Sequence, residues 1–527
     1  MMRKHPFPQF NSSFSSTGDG TRESLPSGRK PLNLLESIQK VNLHLDGEVY
    51  LVGGFVRNSL IGRSSSDIDI VTTSSSRECA ETFRRELGGT LFPLDIPRGI
   101  FRLLLNDSNE LGISHLDLSE GKGGVLEDLE KRDFTINAMA IPINQFGNTP
   151  SDWNVIDPTT GLADLKQKAI RMTHSNVFKE DPIRILRATR LASQLEFEIE
   201  KETFQTIQQD RFLLGPCSPE RIRDEFLEIL SQPNLKHSLE ELSRNLVLEI
   251  LIPELSDAKG VIQPIEHYWD VYDHSIQTAV MAEAILKRDY RENDEIGNSI
   301  PWRSWLDEYF SEEVCDGHSR STILKLAGLL HDVAKPETKT IQPNGRVRFL
   351  GHSPIGAAKA EIILSRMRLS NRGITMIKTM VEHHLRPSQT SQKDQMPTRK
   401  AVYRYFRDVG EVALDTIYLS LADFLAARGP TLDKEAWLFN SKRINYTIEE
   451  GTRIQQIENE PKLLDGHEIS HLFDIKPSPE LGELINQVRK AQAIGIIDTK
   501  QNAVAFIKDL LKGRSGIREF SASGTQK

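Results

Sequence analysis

Downstream of Pro31, Leu32, Leu34, Leu35, Ile38 and Val41 recur at helical spacing, and the apolar run Val49-Tyr50-Leu51-Val52 then stops abruptly at Gly53-Gly54. This pattern predicts an amphipathic helix, a buried strand, and a tight turn that opens a second helix. Strand-like alternation returns in Ile68-Asp69-Ile70-Val71 and between Ile113 and Leu118, so residues 31–173 read as one α+β head with a small mixed sheet. Past Arg171 the period changes. Ile183, Leu186, Ala188, Leu191 and Leu195 keep helical spacing, and Ser218-Pro219 supplies an N-cap and a first-turn proline. No strand pattern of comparable strength follows. The expected organisation is therefore the head, a helical neck at 174–250, a mostly α-helical body at 251–430 and a helical tail at 431–527. The charged stretch from Arg288 to Glu308 is expected to be a surface connection, and the chain shows no internal repeat.

Composition limits the classes open to the chain. A length of 527 residues exceeds what one hydrophobic core serves. Its 38% hydrophobic and 27% charged residues are ordinary for a globular protein. Residues 1–30, rich in Ser, Gly, Pro and Arg without apolar periodicity, read as a disordered leader, with an organellar transit peptide as the alternative. Cys79, Cys217 and Cys315 lie far apart and form no CxxC pair, which argues against disulfides or thiolate zinc and for a reducing, cytoplasmic setting. No apolar run is long enough to span a bilayer. A net charge of −8 excludes a uniformly basic coat but not local phosphate-binding patches.

The first candidate chemistry lies just behind the glycine turn. Residues two apart on a strand face the same side, so Asp67 and Asp69 can share a pair of metal ions. Two Mg²⁺ ions between these carboxylates and a triphosphate would activate a 3′-hydroxyl and stabilise departing pyrophosphate. Gly53 and Gly54 allow backbone to approach phosphate closely, and Arg57 adds a positive charge near the helix start. Asp117, which shares a strand face with His115, is either a third metal carboxylate or an edge-strand acid facing water.

The order Val52-Gly-Gly-Phe-Val-Arg57, Asp67-Ile-Asp69, Arg132-Asp133-Phe-Thr-Ile-Asn-Ala-Met-Ala140, Asp157-Pro-Thr-Thr-Gly161-Leu-Ala-Asp164, and Glu180-Asp181-Pro-Ile-Arg184-Ile-Leu-Arg187 resembles the bacterial-type CCA-adding enzyme and poly(A) polymerase nucleotidyltransferases. The resemblance covers roughly residues 48–235 and implies a palm-like head. It makes Asp67 and Asp69 the metal carboxylates and Gly53, Gly54 and Arg57 triphosphate contacts. Arg132 and Asp133 would meet the nucleotide's sugar. Asp181 and Arg184, with Arg187 in the same motif, would read the base edge, since carboxylate and guanidinium together offer acceptors and donors that match C or A. Two positions depart from the family pattern: Asn58 stands where an Asp follows the Arg, and Lys131 where the first Arg of RRD stands.

A second constellation runs from His274 through His331-Asp332, His352 and His383-His384 to Asp423. Imidazole and carboxylate suit a divalent transition metal, and an open position would hold a water made acidic enough to attack phosphorus. The context Leu-Ala-Gly-Leu-Leu-His331-Asp332-Val-Ala-Lys-Pro resembles the signature of HD phosphohydrolases, over about residues 265–430. That resemblance implies one metal on His274, His331, Asp332 and Asp423, and a second with His352 and His383. His384 takes the place of His383 if the helix is rotated by one position.

The expected partners are tRNA, ATP and CTP, with no membrane and no evident protein partner. Lys393, Arg399, Lys400, Arg404 and Arg407, interleaved with Tyr403, Tyr405 and Phe406, would meet RNA phosphates and bases, or else form a solvated helix face whose aromatics lie in the core. The tail from Leu463 to Gly495 resembles the C-terminal helices of the same tRNA enzymes. The implied reaction is template-independent addition of C and A, as CCA or part of it. Poly(A) addition and a principal hydrolase activity at the histidine cluster are the alternatives.

Overall fold

A computed structural model describes residues 34, 38, 40, 41 and 47–512, apart from 106–111, 147, 148, 289–293 and 392–394. The expected leader at 1–30 lies outside these residues, as do Leu32 and Leu35 of the first helix. The three described members of that helix's apolar face, Leu34, Ile38 and Val41, are fully buried. Internal packing divides the chain into two compact units, with the boundary between Leu255 and Ser256. Head and neck share one unit; body and tail share the other.

In the first unit, six strands form a mixed sheet in the order β3-β4-β5-β2-β1-β6. They are β1 Val49–Val52, β2 Asp67–Thr72, β3 Thr90–Asp95, β4 Ile100–Leu104, β5 His115–Glu120 and β6 Ala140–Pro142. β1 is buried along its whole length, as its unbroken apolar run requires. β2 alternates: Ile68 and Ile70 are fully buried, while Asp67 and Asp69 point to the other, partly open face. β2 and β5 run parallel, with Asp69 opposite Asp117. Helix α1, Gly54–Leu60, leaves β1 directly through the Gly53 turn.

The neck begins with α2, Arg184–Leu195, whose buried face includes Leu186, Ala188, Leu191 and Leu195, as the spacing predicts. It packs on α3, Pro219–Ser231, where Ser218 caps the helix by accepting from the Arg221 N–H. The short parallel pair β7 Ala169–Ile170 and β8 Glu198–Ile199 ties the end of the head to this layer. Because that pair joins segments nearly thirty residues apart, head and neck form one unit despite their different periodicities.

The second unit is built around α9, Ala413–Arg428, which is buried over most of its surface and therefore sits centrally. Against it pack α4 Val271–Lys287, α5 Arg320–Leu330 and α7 Asn371–His383, and α6 His352–Arg366 covers α7. At Gly328 a Cβ would lie 3.0 Å from Ala279 Cα, so only glycine lets α5 approach α4 this closely. Three elements complete the tail side: α8 Arg399–Val409, α10 Lys434–Asn459 and α11 Pro479–Ala493. The tail keeps its own apolar cluster, including Leu464, Ile469, Leu484, Val488 and Ile507.

Two expectations change here. The stretch Arg288 to Glu308 is not a simple surface connection. Leu306 is fully buried, the Trp437 indole donates to Ser299 Oγ (2.8 Å), and the Tyr418 hydroxyl donates to the Pro301 carbonyl (2.5 Å). Its charges sit at the two ends, and Gly297, Ile300 and Pro301 between them are buried. The sequence reading also missed the hairpin β9 Lys339–Ile341 and β10 Val347–Phe349, although Asn344-Gly345, with Gly345 at φ 79°, is a hairpin-turn signal.

Candidate functional site

The head site forms where the period-2 pattern of β2 meets the turn after β1. Gly53 has φ 71°, and a Cβ there would lie 2.7 Å from Asp69 Oδ2 and 2.8 Å from Arg132 Nη1. Glycine at 53 is thus what lets the turn, the carboxylate and the guanidinium share one point. Gly54 has no such constraint, as a Cβ there would meet Arg57 at 3.6 Å and nothing closer.

Burial raises the Asp69 carboxyl to about 6. Arg132 opposes this, while Asp67, Asp117 and Asp128 add to it. A carboxylate so placed gains from a cation, and oxygen-only donors suit a hard ion. Asp117 does not lie on an edge strand, because β5 is flanked by β2 and β4. Its two oxygens are held by Arg102 at 2.7 and 2.6 Å in a bidentate pair. The acid therefore stands beside Asp69 already neutralised by a residue that the sequence reading missed.

Four further motif residues are positioned by protein partners. Arg57 is buried and donates to Asn58 Oδ1 and Asn137 Oδ1. Burial pulls it down to about 10, so it stays charged at neutral pH. Asn58 keeps an acceptor for Arg57 where the family pattern has Asp. Asp133 accepts from Phe134 N, Asn137 and Arg187. Although burial opposes its charge, Arg187 and these donors hold its carboxyl below the usual range. Asp157 caps the Gly161 and Leu162 N–H groups, and Asp164 accepts from Thr135 and Arg171, so both serve as local braces.

At the neck, Asp181 is paired with Arg221 at 2.7 Å. Arg184 donates to the carbonyls of Val177 (3.3 Å) and Lys131 (3.1 Å), which links the start of α2 to the Lys131-Arg132-Asp133 segment. Arg221 was another residue missed from sequence. It lies on α3, forty residues from its partner, and nothing local marks the pairing.

The second site lies inside the helical body. His274 Nε2 is 3.2 Å from His331 Nε2, 3.3 Å from Asp332 Oδ2 and 3.1 Å from Asp423 Oδ1. His331 Nε2 is 3.0 Å from Asp332 Oδ2. On the other Asp332 oxygen, His352 Nε2 stands at 3.4 Å and His384 Nε2 at 3.8 Å. Two groups of three potential ligands result: His274, His331 and Asp332, and Asp332, His352 and His384. His383 is the correction: it sits half-buried at the end of α7, while His384 is buried in the cluster. The helix phase is rotated by one residue from the first expectation.

The donor geometry fits metal ions. Donors at about 2.1 Å from one ion stand about 3.0–3.4 Å from each other. The Nδ1 atoms of His331, His352 and His384 lie 2.7–2.8 Å from backbone carbonyls, which leaves each Nε2 lone pair free for the cluster. Both Asp332 oxygens are buried without a well-directed hydrogen bond, although Lys335 Nζ lies 2.5 Å from Oδ2. Burial opposes a charged His331, yet Asp332 and Asp423 hold it up at about 10. His384, buried beside His331, is pushed down to about 4.

A carboxylate pair on one strand face, with Asp69 and Arg132 against a glycine turn, followed by a buried histidine-aspartate cluster, defines a nucleotidyl-transfer head joined to an HD body. The poly A polymerase head domain family matches residues 49–171, and the HD domain family matches residues 271–428. A further family, described as "Probable RNA and SrmB- binding site of polymerase A", matches residues 196–259. The chain is 30% identical to the A-adding tRNA nucleotidyltransferase of Deinococcus radiodurans over 87% of its own length and 94% of that protein. It is 39% identical to the CC-adding tRNA nucleotidyltransferase of Geobacter sulfurreducens, over 87% and 91% of the two chains. The Thermotoga maritima CCA-adding enzyme, solved in complex with tRNA, shares the fold with a TM-score of 0.57, 22% identity, and coverage of 90% and 95%. The chain belongs to the tRNA nucleotidyltransferase family that carries the poly A polymerase head and an HD domain. No helix among the described residues is long and apolar enough to cross a membrane.

Proposed function

We propose that the head extends the 3′ end of tRNA from CTP and ATP, building CCA or its CC or A part without a nucleic-acid template. The observation that carries this reading is the meeting of Asp69 and Arg132 at the Gly53 turn, with Asp67 two residues before Asp69 on the same face of β2. In the reaction the tRNA 3′-hydroxyl gives up its proton, its oxygen joins the α-phosphorus of the nucleotide, and the bond to the β-phosphate breaks to release pyrophosphate. Asp67 and Asp69 would hold Mg²⁺, which when bound would activate the hydroxyl and neutralise the leaving charge. Gly53 and Gly54 keep the approach to the triphosphate open, and Arg57 and Arg132 contribute positive charge. Asp117 has both oxygens engaged by Arg102, which leaves Asp67 and Asp69 as the metal carboxylates of this reading.

The Asp133 carboxylate is spent on protein partners, so contact with the sugar passes to Arg132, and the Asp133–Arg187 pair braces the neck against the head. Asp181 and Arg184 read the base edge, with Asp181 exchanging Arg221 for the incoming base. The two relatives compared over most of the chain are named for adding A and for adding CC, which makes a partial product a defined outcome. The test is to offer tRNAs ending before C, CC and CCA with each nucleoside triphosphate separately. Extension by C, by A, or by both in order assigns the part; a long run of A on any RNA would mean a poly(A) polymerase.

The HD cluster is proposed to hydrolyse phosphate esters. His274, His331, Asp332 and Asp423 would hold one divalent ion, and Asp332, His352 and His384 a second, and such ions would supply an acidified water as the nucleophile. RNA contact in the second unit falls on α8 and α11. There the ammonium of Lys490 is pushed below its usual value by burial and by Arg404, Lys400 and Arg407. Tyr405 and Phe406 take no part, because both are buried in the core.

A further inference from the structure

In the head's sheet β2 lies between β1 and β5. The triphosphate contacts Gly53, Gly54 and Arg57 all stand on the β1 side of it, at the end of that strand and in α1. Attacking and leaving oxygens lie roughly in line across the α-phosphorus. With pyrophosphate leaving on the β1 side, the RNA end approaches from the β5 side. There His115 is the cross-strand neighbour of Asp67 and Asp117 that of Asp69, all four on the partly open face. Asp117 is spent on Arg102, which leaves the half-buried His115 to meet what arrives.

The hydrogen bonds around His115 decide what it can meet. Ser114 Oγ donates its one proton to the Ser66 carbonyl at 2.9 Å. The same oxygen lies 2.9 Å from His115 Nδ1, so it accepts there, and Nδ1 carries the proton of the neutral imidazole. Nε2 is then a bare acceptor, with no hydrogen-bond partner among the described residues. An acceptor repels phosphate oxygens and suits a hydroxyl. The Ser114 N–H donates to the same Ser66 carbonyl at 2.6 Å, which ties the ring to the residue before Asp67. Exposed Leu104, the neighbour of His115 on β4, offers apolar surface to a sugar ring. We propose that His115 Nε2 accepts a hydrogen bond from the 2′-hydroxyl of the RNA's terminal ribose, which makes the head prefer an RNA end to a DNA end. The 3′-hydroxyl is the reacting group; the 2′-hydroxyl is its neighbour on the ring and keeps its proton. That hydroxyl distinguishes the two nucleic acids at a single nucleotide. His115 is thus a specificity-determining contact, and the inference rests on the transferase reading of the head.

The experiment is single-turnover addition by the full-length chain with Mg²⁺, of C to a tRNA ending before CCA and of A to one ending in CC. Each tRNA is also made with a 2′-deoxy terminal nucleotide. Wild type is compared with His115→Ala and His115→Gln, each checked for an unchanged melting temperature. The 2′-deoxy end should slow the wild type about threefold to tenfold, the worth of one ordinary hydrogen bond. His115→Ala should extend both ends at the slower rate, so that the preference disappears. His115→Gln, which returns an acceptor near the place of Nε2, should regain part of it. The nucleotide concentration giving half the maximal rate should stay as in the wild type. Equal extension of the two ends by the wild type, or a preference that survives in His115→Ala, would overturn the inference and leave the transferase reading standing. No extension of the all-ribose ends would overturn the transferase reading and this inference with it.

Discussion

The head and the HD body both gather acidic side chains, but they bury them differently. In the head, Asp67 and Asp69 stand on the partly open face of a strand, use oxygen donors alone, and have arginines close by. In the body, His274, His331, Asp332 and His384 are almost wholly buried, contribute nitrogen as well as oxygen, and leave Asp332 short of hydrogen bonds. An open oxygen site can exchange its ion with each nucleotide, and it owes little of its fold to that ion. A closed mixed-donor site holds its ion as part of the core, and its stability should follow metal occupancy. The two sites therefore differ in what their loss does to the rest of the protein.

The largest effect expected is on the head. Asp69→Asn should lower nucleotide addition at least ~10³-fold, the worth of several kcal/mol of metal-borne charge stabilisation. The same substitution should not lower the melting temperature, because it swaps a carboxylate whose charge burial disfavours for a neutral isostere. A melting transition that fell with activity would show that the head, like the body, needs its ion to fold.

Gly53→Ala should cost addition about 10²-fold, since the new methyl displaces Asp69 and Arg132 by an appreciable fraction of an ångström. Full activity would mean that the turn relaxes freely. Chelation should act on the body instead. Stripping its metals should destabilise the second unit by about 2.7 kcal/mol relative to ion at a hundred times its dissociation constant. Differential scanning calorimetry would show this as a shift in one transition and not in the other, and equal shifts would erase the contrast.

Base selection is expected to respond more gently. Arg184→Ala should reduce the preference for C and A over U and G by roughly tenfold to a hundredfold while residual addition persists. An unchanged preference in single-turnover incorporation would return Arg184 to a purely structural role between Val177 and Lys131. Smallest of all, His383→Ala should change stability by less than about 0.5 kcal/mol and leave metal stoichiometry intact. His384→Ala should lose bound metal, and the reverse result would restore the first reading of the helix phase.

The periodic parts of both sites were legible in the sequence. Asp67 and Asp69 sit two apart on a strand whose alternate isoleucines are buried, and Gly53 ends an unbroken apolar run, so local pattern alone places them. His331-Asp332 lies at the end of an apolar helix for the same reason. Pairings across distant elements were not legible. Arg102 meets Asp117 only because β4 takes its register beside β5, and Arg221 meets Asp181 only through the packing of α3 on α2. His383 and His384 differ by 100° of helix phase near a helix end, where periodicity carries the least information. The β9–β10 hairpin was not legible from periodicity because its strands are three residues long, and only the Asn344-Gly345 turn marks it.

The most direct test of two separate chemistries measures both activities on the same preparations. Wild type, Asp69→Asn and His331→Ala would be assayed for single-turnover C and A addition to tRNA and for metal-dependent hydrolysis of p-nitrophenyl phosphate, with folding monitored by circular dichroism. The account predicts a double dissociation: Asp69→Asn loses addition and keeps hydrolysis, and folded His331→Ala loses hydrolysis and keeps addition. Loss of both activities in either folded variant would contradict it.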